Sequence, residues 1–177
     1  NFDVAKPLFC LGFKELTKNS TPDVKHMVAM EILLKMLAGS ASGLYKELLE
    51  ESLINEEFSF EYFNGPGYAA AIFEGESENP QKVADEIKAE ISRLKEEGLN
   101  KKLFNAVRSN FYGNAIRNYN NIENIAMDLV DCAMSGHDLF DEIKYLKAIT
   151  VEDVAKRLAA LDNDKTVLSV IVPKEKK

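Results

Sequence analysis

The 177 residues carry 22 Lys and Arg against 29 Asp and Glu, a formal net charge of −7, and 46% of them are hydrophobic. That length and apolar content suit one domain with a single core. An acidic, self-repelling chain without a clustered basic face is a poor nucleic-acid binder, and that function class is set aside, as is any membrane role, because no uninterrupted apolar run reaches the length of a bilayer span. The first residues lack a charged-then-apolar signal pattern, so a cytoplasmic location is expected, and the start at Asn1, close to a strand-like segment, reads as the beginning of a piece of a longer polypeptide. The two cysteines, Cys10 and Cys132, have neither metal-ligand nor redox spacing and are expected to be buried thiols in a reducing compartment.

Residues 6–13, rich in Leu and Phe, predict a strand. Thr21 followed by Pro22 predicts a helix start with Thr21 as the cap. Over 23–38 the apolar residues leave only a narrow polar stripe through Lys25, Glu31 and Lys35, the mark of a buried helix. The small residues at 39–43 break it, and a short helix follows over 44–49. At 57–62 strict alternation sets Phe58, Phe60 and Tyr62 on one face of a strand, Asn64-Gly65-Pro66-Gly67 makes a turn, and 68–74 returns as the second strand of an antiparallel hairpin.

Asn79-Pro80 starts a helix that Gly98 ends. Asn100 caps another, with Leu103, Phe104, Val107 and Phe111 inward, and the asparagine-rich stretch 118–124 reads as a loop or kink. Helices are predicted over 125–134, 139–149 and 151–161, the last with Thr150 and Asp153 as a weak capping box. The β-branched run 166–172 predicts a closing strand. The order gives an α+β fold: an antiparallel β-sheet with helices packed mainly on one face, in a single domain over 1–177.

Local chemistry is sparse. A catalytic zinc site takes three protein ligands, commonly two from one helix face, yet His26 and His137 are the only histidines and no His-x-x-Glu-His order or its reverse is present. His26 is expected to be a tethered residue at a helix edge, and His137-Asp138 a helix start. There is no Gly-x-Ser-x-Gly elbow, and the 39–43 stretch is too short and too poor in Lys and Arg for a phosphate loop. The residues alone therefore give neither catalytic nor metal-ligating candidates.

The stretch Leu37-Ala38-Gly39-Ser40-Ala41-Ser42-Gly43-Leu44-Tyr45-Lys46-Glu47-Leu48 resembles a signature of the C-terminal domains of pitrilysin/insulinase-like, or mitochondrial-processing-peptidase-like, zinc metallopeptidases. Gly98-Leu99-Asn100-Lys101-Lys102-Leu103 and Ile149-Thr150-Val151-Glu152-Asp153-Val154 resemble two later helix entries of that family, in the right order. Ser52-Leu53-Ile54-Asn55 followed by Phe58-Ser59-Phe60 is similar to the hairpin entry of its bacterial branch. The resemblance implies a clamshell that encloses an extended peptide, with zinc held by a separate N-terminal half. It implies own-chain and paralogous or identical partners, and a C-terminal half that offers an Arg and a Tyr to the substrate. In this sequence those positions fall on Leu49 and on Asn55, or Glu56 without a skipped residue. A leucine donates no hydrogen bond. The expectation is therefore a chamber wall and partner interface of a zinc peptidase, or a structural paralogue without catalysis, with no catalytic residue and no zinc in this chain.

Overall fold

In β1 (Leu8–Glu15), Phe9, Leu11 and Phe13 are buried while Cys10 and Gly12 between them are less so, because successive side chains of a strand point to opposite faces. The computed structural model describes residues 4–17 and 20–174; of the helix-start segment, Lys18 and Asn19 fall outside that range. The remaining elements are α1 (Val24–Ala38), α2 (Gly43–Glu50), β2 (Ser59–Gly65), β3 (Tyr68–Glu76), α3 (Pro80–Glu97), α4 (Lys101–Asn118), α5 (Ile122–Ser135), α6 (Asp141–Ala148), α7 (Val151–Ala160) and β4 (Thr166–Ile171).

The four strands form one antiparallel sheet in the order β2-β3-β1-β4. Leu11 stands opposite Phe73 on β3 and Leu168 on β4, and Phe60 stands opposite Phe73, so one face carries a continuous apolar row. The β2-β3 hairpin turns through Pro66 and Gly67, where Gly67 adopts φ 83, the left-handed value that the second central position of such a turn requires.

Helices cover that apolar face. Nine residues of α1 are buried, including Ile32, Leu33 and Leu37, because α1 packs on β2 and is itself overlaid by α4, α6 and α7. Together α1 and α2 span 27 residues with a mean hydropathy of 1.4 in their most apolar window, so the expectation that no stretch reaches membrane-span length fails on length. Since 67% of that window is buried within the domain, the core accounts for its apolarity. α3 presents Val83, Ile87 and Ile91 to the same core and keeps Lys, Glu and Arg outside.

Three helix starts depart from what the sequence predicts. Asp23, not Thr21, caps α1 by accepting the His26 amide at 2.8 Å, so Pro22 precedes the cap and is buried. Asn79 and Asn100 cap α3 and α4 as their sequence predicts, and Thr150 and Asp153 form the full reciprocal box on α7. The predicted loop at 118–124 shrinks to a turn, since Asn121 caps α5 and Ile122 already belongs to it. His137-Asp138 does not start α6: Asp138 accepts the Phe140 amide in a local turn, and the helix begins at Asp141. Both cysteines are half-buried free thiols, not fully buried ones.

Candidate functional site

The turn between α1 and α2 depends on close backbone approach. A Cβ on Gly39 would lie 2.4 Å from the Lys35 carbonyl oxygen, so only glycine lets α1 end there with its amide bonded to that same oxygen. Ser42 then caps α2 by accepting the Tyr45 amide. Two residues past the end of α2, Ser52 has a φ of 56, left-handed for a residue with a side chain. That reversal drops Leu53 and Ile54 back into the core and brings Asn55 out beside the end of β3.

Leu49 sits on the open side of α2 and is 41% exposed. The Asn55 carboxamide donates to Glu76 at 3.0 Å and accepts from the Glu57 amide at 3.0 Å, which fixes its orientation. Asn55 is thus fixed beside the end of β3, six residues on from Leu49 of α2.

The second face of the sheet carries no helix among the described residues. Alternation places Phe63, Tyr68, Ile72, Val167 and Ile171 on it, around Gly12 and Ala70. Val167 is 72% exposed and Phe63 51%, and Phe63 and Tyr68 lie against each other across the hairpin with ring centroids 5.3 Å apart. Cys10 shares this face. Partial burial and the nearby charges of Glu74 and Glu61 push its thiol up, which keeps it protonated and poorly nucleophilic.

A polar cluster lies at the covered end of the sheet, built from four elements. Glu15 ends the inward series Phe9, Leu11, Phe13 on β1. Its carboxylate meets the His26 Nε2 of α1 at 2.9 Å, accepts from the Tyr62 hydroxyl of β2 at 2.5 Å and lies 3.6 Å from Arg157 of α7. The Arg157 guanidinium donates to His26 Nδ1 at 2.9 Å, and the His26 and Tyr62 rings stack at 16°. One tautomer satisfies all partners: Nε2–H donates to Glu15 while bare Nδ1 accepts from Arg157, an assignment made from the partners. Burial pushes the Glu15 carboxyl up, but the hydrogen bonds from His26 and Tyr62 and the Arg157 charge outweigh it and hold the group below its ordinary value. The Tyr62 hydroxyl is pushed up by burial and by Glu15. Beside the cluster, Lys25 pairs with Asp153 at 2.9 Å.

This cluster does not fit zinc. Both ring nitrogens of His26 already have partners, and one of them is a guanidinium. Among the described residues no three His, Cys, Asp or Glu side chains converge as a metal requires. Sequence reasoning singled out His26 but missed Glu15, Tyr62 and Arg157. Tyr62 reads as one more core aromatic in the alternation, and Glu15 lies two residues past the predicted strand end. Extending the β1 alternation by those two residues puts a carboxylate on the core face, a signal that it must find partners there.

The family described as peptidase M16 inactive domain matches residues 2–111. The uncharacterized zinc protease YmfH of Bacillus subtilis is 30% identical over 152 residues, which cover 85% of this chain but 35% of YmfH, so the chain spans about a third of that curated relative's length. A solved M16-like peptidase from Alicyclobacillus acidocaldarius superposes with a TM-score of 0.88 at 23% identity over 98% of this chain and 42% of that one. A Bordetella parapertussis chain described as the inactive peptidase domain of a zinc protease superposes with a TM-score of 0.81 at 16% identity over 99% of this chain and 96% of its own. The chain belongs to the M16 inactive peptidase domains.

Proposed function

We propose that this domain is a substrate-chamber wall and partner interface of a zinc-dependent peptidase whose metal is held by another part of a longer protein. The observation that carries the reading is the open sheet face. Large apolar side chains such as Phe63 and Val167 stand in water there, and an exposed apolar patch of this kind marks an interaction site. Leu49 and Asn55 border the enclosed peptide in this proposal, with Asn55 as the one hydrogen-bonding side chain of the pair. The chain's own contribution is shape, exclusion of water and the fixed Asn55 side chain. When bound elsewhere in the protein, zinc supplies the activated water that attacks the peptide bond. The partners proposed are the protein's own N-terminal part and a paralogous or identical subunit, in the cytoplasm.

The test is a double substitution, Phe63→Glu with Val167→Glu, in a longer zinc-bearing polypeptide that contains this domain. Both positions are exposed, so the melting temperature of the 177-residue chain should move by no more than about 1–2 °C. Cleavage of an unstructured reporter peptide by the longer protein should fall at least about tenfold. Unchanged cleavage would remove the interface reading. A structural paralogue without catalysis is the second reading, favoured by a leucine at position 49 where the family's substrate-facing arginine is expected. Absence of zinc from the longer protein would select it.

A further inference from the structure

A cleft of about 260 Å³ lies between the N-terminal half of α1, α5 and α6. Its apolar wall is Val24, Met27 and Val28 of α1, with Leu139 from the turn before α6. Five carboxylates line the same space: Glu31 of α1, Asp128 and Asp131 of α5, Asp138 of the turn and Glu142 of α6. No Lys or Arg lines it. The cations on neighbouring turns are engaged elsewhere. Lys35, one turn on from Glu31, lies over the Phe60 ring of β2, and Lys25 pairs with Asp153 of α7. Lys144 of α6 pairs with Asp141, and Arg117 of α4 donates to Asn114.

Two of the five acids have local donors, since Asp128 accepts from the Asn118 carboxamide and Asp138 from the Phe140 amide. Glu31 and Glu142 have no hydrogen bond or ion pair with the described residues, yet they stand on helices that pack against each other. Carboxylates gathered without a counter-charge are relieved either by taking up a proton or by moving apart. The part able to move is α5. Nine residues of α1 are buried, whereas none of α5 is. The bonds that tie α5 and the following turn down are polar ones, from Asn118 to Asp128, from Asn124 to Asn118 and from the Tyr119 hydroxyl to the Leu139 carbonyl at 2.7 Å. A helix held in this way is drawn from the low-stability end of a domain and opens locally.

We propose that this cleft is a proton-operated hinge: it is closed while Glu31 is protonated, and ionised Glu31 and Glu142 drive α5 away from α1, baring Val24, Met27 and Leu139. The hinge is separate from the open sheet face and does not rest on the function proposed for it. Desolvation in the cleft and the Glu142 charge push the Glu31 carboxyl up to about 7, and desolvation and Asp128 push Glu142 up as well. The closed form is therefore favoured below the ordinary carboxyl value of 4.5, and that advantage is lost as pH rises from there through about 7. Displacement of one carboxyl from 4.5 to about 7 bounds the change in opening at about 300-fold. Water still reaches Glu31 along the open side of the cleft, so screening brings the expected change to about 10- to 30-fold.

The experiment is hydrogen–deuterium exchange of the 177-residue chain from about pH 5 to about pH 8.5, with rates corrected for the intrinsic effect of pH. Opening read at residues 119–148 should rise about 10- to 30-fold across that range, while Val83–Ile91 of α3 stays protected. Glu31→Gln should abolish the rise, and because Glu31 is exposed its circular dichroism should be that of the unsubstituted chain. Glu142→Gln should move the midpoint of the rise to lower pH, which carries the test if Glu31→Gln disturbs the fold. His137 also lines the cleft, with Nε2 buried and without a hydrogen-bond partner, and His137→Asn should keep the response. Opening at 119–148 that is flat or falls with pH would overturn the proposal. So would a rise that survives Glu31→Gln, a midpoint unmoved by Glu142→Gln, or a response lost in His137→Asn.

Discussion

Replacing Tyr62 with phenylalanine removes one oxygen from the Glu15 cluster and leaves the ring free to stack on His26. The lost hydroxyl donates to a carboxylate at 2.5 Å, and hydrogen bonds to charged groups contribute about 1.5–3 kcal/mol. The cluster is half-buried, so the lower end applies, and a loss of about 1.5 kcal/mol is expected at neutral pH. The pH dependence follows from the direction of the Glu15 shift. The carboxyl is held below its ordinary value of 4.5, so the stability it contributes is fully present above that value and is lost as pH falls through the lowered one. Once Glu15 is protonated the bond to Tyr62 is neutral, and the cost of Tyr62→Phe should shrink to about 0.5 kcal/mol. Urea unfolding of both proteins at neutral pH and at progressively lower pH, followed by circular dichroism, measures the two differences. A cost below about 0.3 kcal/mol at neutral pH, or one that does not change with acidification, would refute the cluster as a latch between β1, α1, β2 and α7.

Three further outcomes follow from the packing. Gly39→Ala should destabilise by about 2 kcal/mol in thermal or urea unfolding, because the added Cβ meets the Lys35 carbonyl at 2.4 Å and the end of α1 has to move. Leu33→Ala in the fully buried part of α1 should cost about 3 kcal/mol by the same measurement, from lost burial and the cavity it leaves. Ser52→Gly should be neutral to slightly stabilising, about 0.5 kcal/mol, since relief of the left-handed strain of about 1–2 kcal/mol exceeds the added flexibility of glycine in the unfolded chain, about 0.4–1 kcal/mol. A clear loss of stability in that variant would mean that the Ser52 side chain is needed.

Much of the fold was legible because its signals are local. Asn79-Pro80, Asn100 and Thr150 with Asp153 each satisfy free amides at a helix start within a few residues of themselves, so the sequence alone locates them. The alternation at 57–62 and the Pro66-Gly67 turn did the same for the hairpin. Thr21 misled because two side chains two residues apart can each cap, and Asp23 wins by its actual bond to the His26 amide. The site was less legible. Glu15, His26, Tyr62 and Arg157 come from four elements up to 142 positions apart in numbering, and no short-range pattern links them. That helices cover one face of the sheet was read from the element order, but which residues line the open face was not: periodicity marks which residues share a face, but β-branched residues fill both faces of β4, and only the helix positions show which side is covered. α5 forms where the sequence predicts a helix, yet none of its residues is buried.

The central claim is that this domain shapes a peptide site without holding the metal that attacks the bond. The most direct measurement is zinc content of the purified 177-residue chain by atomic emission, paired with cleavage of an unstructured peptide before and after chelation. Far less than one zinc per chain and no chelator-sensitive cleavage are expected. One zinc per chain, with turnover that chelation abolishes, would contradict it.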